Sequence, residues 1–132
     1  MFRKAQVDPL ARRVALGIGG SRVGLGLATF FATRPALRTL GFGESDTAGR
    51  TLARVLGGRD IAVGWLTLAL RDDPVALRSV ILASSLLDLA DSVAFGVAVG
   101  NPETRRPGTI GVLSGGSAAL SGLWAWRRLG DA

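Results

Sequence analysis

The 132-residue chain contains no cysteine, no histidine and no tyrosine. Without cysteine there is no disulfide, no thiolate nucleophile and no thiol-bound metal. Without histidine there is no Ser-His-Asp chemistry, and a metal would have to be held by carboxylates, which suits only a hard cation. Neither a metal nor a cofactor is expected. Aromatic residues make up 6% of the chain, and no basic stripe is interleaved with them, so the signature of a nucleic-acid surface is missing. Charged residues are also sparse, at 20%, less than a soluble domain of this length usually displays.

Apolar residues and glycine are abundant. Hydrophobic residues reach 48%, glycine numbers 19, and mean hydropathy is positive. The net charge is +6, but the charges gather at the N-terminus and around 34–50, 71–78, 103–106 and 127–131, with apolar stretches between. That layout predicts an all-α, integral membrane four-helix bundle in one domain over 1–132, with the arginines as membrane-flank anchors. The spans cover about 14–32, 51–70, 75–99 and 108–126. Each is long enough for a hydrocarbon core about 30 Å thick. Arg34-Pro35, Arg71-Asp72-Asp73-Pro74 and Gly100-Asn101-Pro102 separate them, and Trp124 and Trp126 beside Arg127-Arg128 form an interfacial belt.

A soluble bundle would show a broad polar face every 3.6 residues; the first and fourth spans have none. A cleaved signal peptide is disfavoured because Arg22 interrupts the first apolar stretch and three more spans follow. With the N-terminus inside, Arg3, Lys4, Arg12, Arg13, Arg71, Arg78, Arg127 and Arg128 face the cytoplasm. Arg34, Arg38, Arg50, Arg105 and Arg106 face the other side. The bias puts both termini in the cytoplasm and the protein in the cell membrane as a multi-pass chain.

In lipid, helices associate through small residues that let backbones approach. Each span carries such a stripe: Gly19, Arg22, Gly26, Thr29 and Thr33 in the first; Ala53, Gly57, Asp60, Gly64 and Thr67 in the second; Ser84, Asp88 and Asp91 in the third; Gly111, Gly115, Ala118 and Gly122 in the fourth. Gly17, Gly19 and Gly24 make no dinucleotide fingerprint, because no strand precedes them and no acidic partner follows at the right spacing.

The charged members of these stripes lie at similar depth. Arg22, Arg59-Asp60, Asp88 and Ser117 fall near the span midpoints, and Asp91 is one turn from Asp88 on the same face. A charge at the centre of a membrane helix costs about 2.5–3.5 kcal/mol. Five unpaired charges would cost on the order of 12–17 kcal/mol, as much as the whole stability of a small protein. Pairing is therefore required. Two arginines face three aspartates, which leaves one carboxylate to carry a proton, hold a cation, pair with Arg54 or meet water. The group is either an ion-pair network that sets helix order or a functional site.

"RVLGGRDIAVG" at 54–64 and "LLDLADSVAFG" at 86–96 resemble the bacterial small membrane proteins grouped as domain of unknown function 4267. The resemblance covers about residues 12–126. It implies four helices, an Arg-Asp pair opening a Gly-spaced second helix, and an Asp-rich third helix. It implies no activity, because none is established for that family.

The leading functional expectation is binding of a lipophilic small molecule with a polar head. Arg22 and Arg59 would contact its acid, phosphate or carbonyl group, and Ser84 and Ser117 would complete the site. The alternative is a cofactor-free membrane isomerase or cyclase, with Asp88, Asp91 and Asp60 as catalytic residues and a neutral carboxylic acid as the proton donor. A small proton-coupled exporter is a further alternative, weakened because such proteins use an acidic residue in the first span, where this chain has Arg22. An assembly subunit of a larger complex is another. The expected partners are the lipid bilayer and the lipophilic molecule, with a homodimer left open and no nucleic acid.

Overall fold

A computed structural model describes residues 7–130. Arg3 and Lys4, which enter the charge comparison, lie outside the described residues. All regular structure among the described residues is helical: α1 (Pro9–Phe31), α2 (Thr33–Thr39), α3 (Thr47–Ala69), α4 (Pro74–Val99) and α5 (Arg105–Gly130).

The helix starts follow from local chemistry. Asp8 and Asp73 each precede a proline, and each carboxylate accepts hydrogen bonds from two free amides of the first turn. Leu10 and Ala11 donate to Asp8; Val75 and Ala76 donate to Asp73. Proline suits the first helical position because its missing N–H would have no partner there. Asp46 caps α3 by accepting from the Gly49 amide at 2.7 Å.

The short α2 departs from the sequence expectation, which treats residues after Ala32 as a connection. Pro35 cannot donate to the carbonyl four residues back, so α1 cannot run on unbroken. The chain bends at Ala32 and resumes as a new helix at once. Thr33 Oγ1 donates to the Thr29 carbonyl at 2.7 Å, which satisfies an acceptor at the end of α1. Gly41 then closes α2 with φ of +90°, a backbone state that glycine adopts without steric cost.

The four long helices form two intimate pairs, α1 with α3 and α4 with α5, joined mainly between α1 and α5. Glycines set both close contacts. A Cβ at Gly26 or Gly64 would collide with backbone of the facing helix, at Gly57 and Ile61 in one case and at Gly19 and Val23 in the other. Gly108 faces the backbone of Phe95 and Val99, and Gly111 sits under the Phe95 ring.

Burial has an unusual distribution. Alanine, glycine and threonine dominate the buried faces of α1 and α3, and Ser84 and Ser85 are buried on α4. Among the described residues, a cluster of buried apolar side chains, Ala11, Ala15, Leu77, Ile81, Ala125 and Leu129, lies where the start of α1 and of α4 meet the end of α5. At that end Arg12 pairs with Asp72 at 2.8 Å, and Arg78 donates to the Trp126 carbonyl and lies over its ring. Large apolar side chains point outward along all four long helices, among them Phe31, Val55, Trp65, Val93, Val97 and Leu120.

By length and composition, α1 and α4 can cross a membrane. Helix α3 is as long as α1 but carries Arg54, Arg59 and Asp60 within its apolar stretch. Helix α5 has no charged residue between Arg106 and Arg127, but its many glycines and serines dilute its apolar character.

Candidate functional site

The site is built from the middles of three helices. Arg22, Asp60 and Asp88 each lie within two residues of the centre of α1, α3 and α4. Position 22 belongs to the buried stripe of α1 with Ala15, Gly19, Gly26 and Thr29, so its long side chain has to run between helices. Glycines at 57 and 64 bring α3 close on one side of it. Ser84 and Ser85, both buried, leave room on the face of α4.

Arg22 is the hub. Its Nη1 donates to Asp60 Oδ1 at 2.5 Å. Its Nη2 donates to Asp88 Oδ1 and to the Ser84 carbonyl, and Nε donates to Ser84 Oγ at 2.8 Å. The planar guanidinium thus ties α1 to α3 and α4, in a geometry that a lysine could not reproduce. Arg59 forms a second fork. Its two terminal nitrogens donate to the two oxygens of Asp91, at 3.2 and 2.6 Å. A longer contact of 3.5 Å joins Arg59 to Asp60 Oδ1. The result is a continuous chain of charge, Asp88–Arg22–Asp60–Arg59–Asp91.

Burial falls along this chain. Side-chain exposure is 8% at Arg22, 11% at Asp88 and 13% at Asp60, but 28% at Arg59 and 34% at Asp91. Three carboxylates meet two guanidiniums, so the cluster carries a formal surplus of one negative charge. Among the described residues, the buried side-chain atoms Asp88 Oδ2 and Arg59 Nε have no hydrogen-bond partner. Such atoms are costly in a dry interior.

A partly open cleft of about 310 Å³ adjoins the cluster. Arg22, Asp60, Asp88 and Asp91 supply its charged lining; Ile18, Leu25, Gly111 and Ala118 supply apolar surface; Ser21 and Ser114 supply hydroxyls.

Of the residues expected from the sequence, Arg22, Arg59, Asp60, Asp88 and Asp91 come together. Ser84 joins them as an acceptor for Arg22 and is not part of the cleft lining. Ser117 does not join. It is exposed on α5 and donates back to the carbonyls of its own helix at Leu113 and Ser114. Arg54 does not take the third carboxylate; it lies with Arg34 and Arg50 in a different cleft. The arginines also differ from their expected role, since both guanidiniums already hold aspartates. Ser21 and Ser114 were missed. Ser114 lies one turn before Ser117, on the flank of α5 that carries Gly111, Gly115 and Ala118, and that stripe was the available signal.

No family model, no curated protein and no solved structure matches the chain.

Proposed function

We propose that the chain is a multi-pass integral membrane protein, with its four long helices as spans, that binds a lipophilic small molecule in the cleft beside the Arg/Asp chain. The membrane reading is supported by the inverted burial. Away from the apolar cluster at one end, small and polar side chains are mostly inside, and large apolar ones face out along every long helix, the arrangement expected where lipid replaces water. The pairing of Arg59 with Asp91 and of Asp60 with Arg22 lessens the obstacle to α3 as a span, because paired charges facing the bundle interior are tolerated. Membership of the family of domain of unknown function 4267 is proposed on the residues at 54–64 and 86–96 alone.

One observation carries the binding reading: a single cleft combines apolar walls with a buried charged wall, the usual make-up of a small-molecule site. The lining is rich in acceptors, and its one arginine, Arg22, is already engaged. This favours a ligand head that donates hydrogen bonds, such as a hydroxyl or an amine, over an acid or phosphate.

A cofactor-free isomerase or cyclase is the second reading. It rests on Asp88 Oδ2, a buried carboxyl oxygen without a donor, in a cluster with one carboxylate more than it has guanidiniums. In this reading Asp88 gives a proton to the bound molecule and Asp91 removes one.

The test compares wild type with Asp88→Asn, purified in mild detergent, by mass spectrometry of co-purifying small molecules. Circular dichroism and size-exclusion profiles serve as folding checks. A molecule enriched only with wild type supports binding, and incubating it with fresh wild type separates binding from turnover. If both folded proteins carry the same bulk lipid, the ligand reading fails. An Asp88→Asn protein that does not fold makes the carboxylate structural, and Ser114→Leu, which fills the cleft without touching the ion pairs, then takes its place in the comparison.

A further inference from the structure

At the opposite end from the apolar cluster, the bend between α1 and α2 brings four arginines toward one surface. Arg34 and Arg38 lie on α2, Arg50 and Arg54 on α3. Two adjoining clefts share Arg34 and Arg50. The smaller, about 130 Å³, also involves Arg38 and Glu44. The larger, about 350 Å³, is lined by Phe31, Thr33, Arg34, Pro35, Arg50 and Arg54 and contains no acidic residue.

Among the described residues none of these four arginines forms a salt bridge. Arg50 is held in place by donating to the Ser45 carbonyl and to Thr47 Oγ1. Arg34 and Arg54 are exposed. Like charges that line one cleft repel, and an anion bound there relieves the repulsion. Phe31, 76% exposed, borders the same cleft, so an apolar surface adjoins the cationic one. Guanidiniums match a phosphate through paired N–H donors, and basic pockets at a membrane boundary suit anionic headgroups.

We propose that the cleft between α2 and the start of α3 binds the phosphate of an anionic phospholipid, with Arg34, Arg50 and Arg54 on the headgroup and Phe31 against the acyl chain. The site is separate from the mid-helix Arg/Asp chain and takes the opposite charge. The proposal rests on the membrane reading given above.

The test is native mass spectrometry of the full chain in mild detergent, titrated with phosphatidylglycerol, phosphatidylcholine or inorganic phosphate. Wild type should retain phosphatidylglycerol in preference to phosphatidylcholine. Arg34→Gln/Arg54→Gln should weaken that retention roughly 30-fold, from two basic contacts at a lipid surface. Arg127→Gln/Arg128→Gln, which removes the same charge at the other end, should leave it within about twofold. Equal loss in both double variants, or no preference between the two lipids, overturns the proposal. Displacement of the lipid by millimolar inorganic phosphate would overturn the lipid as the source and make the ligand a soluble phosphate. Extraction of the native chain from membranes by alkaline carbonate would instead overturn the membrane reading. A chain that resists extraction but shows no headgroup preference overturns only the lipid site.

Discussion

Replacing Arg22 with methionine should lower the stability of the fold sharply. The substitution keeps length and apolar bulk, but it leaves Asp60 and Asp88 buried without their shared cation and Ser84 without its donor. Breaking a buried ion pair by removing one partner costs about 3–5 kcal/mol, a large part of the 5–15 kcal/mol or so that holds a typical domain together. Thermal unfolding in detergent, followed by circular dichroism, should show the loss. The triple variant Arg22→Met/Asp60→Leu/Asp88→Leu should recover much of it, because a network replaced whole by apolar side chains is often neutral or better. If it recovers stability and loses the co-purifying ligand, the charges serve binding rather than helix order. An Arg22→Met protein that melts with wild type would show that the hub is not what joins α1 to α3 and α4.

Gly64→Leu should separate α1 from α3. A Cβ at position 64 would lie against the Gly19 carbonyl and the Val23 amide, and backbone cannot rotate away as a side chain can. Overpacking a fitted interface typically costs about 1–3 kcal/mol, and this contact lies at the upper end because the helices themselves must part. The displacement would also carry Arg22 away from Asp60, since both sit between the Gly19–Gly64 and Gly26–Gly57 contacts. Gly24→Ala is the control. Nothing lies within 4 Å of its Cβ position, and alanine in place of glycine favours a helix by roughly 0.5–1 kcal/mol. Unfolding temperatures should therefore fall sharply for Gly64→Leu and hold or rise for Gly24→Ala. Equal effects would mean that the glycine contacts do not set the α1–α3 approach.

Much of this arrangement can be read from spacing alone. Gly19, Arg22, Gly26 and Thr29 recur with helical period, and all four are buried in α1. Ala53, Gly57, Gly64 and Thr67 do the same in α3. The expense of isolated charges in an apolar helix predicts that Arg22, Asp60 and Asp88 meet. Periodicity reports which face a residue occupies, however, and not which partner it finds. Asp88 and Asp91 share a face, yet one reaches Arg22 and the other Arg59, because Arg22 comes from between the helices and Arg59 from the more open side. Ser117 has the right depth and the wrong face. It lies about 60° further around the helix than Ser114, on the side away from Gly111, Gly115 and Ala118, so it points away while Ser114 reaches the cleft. Helix α2 was hidden because Arg34-Pro35 reads as a stop. Proline does end α1, but its fixed φ also suits the first turn of the helix that follows.

The inverted burial underlies both proposed sites, and the missing cysteines make it directly measurable. A single cysteine can be introduced and spin-labelled without background. Leu89, exposed on α4 beside Asp88, and Val75, exposed at the start of the same helix, are the two positions to compare in phospholipid vesicles. The Leu89→Cys label should be open to dissolved oxygen and shielded from a water-soluble nickel chelate, and the Val75→Cys label should be much more open to the chelate. Equal chelate access at the two positions would put the middle of α4 in water and contradict a site buried at mid-membrane.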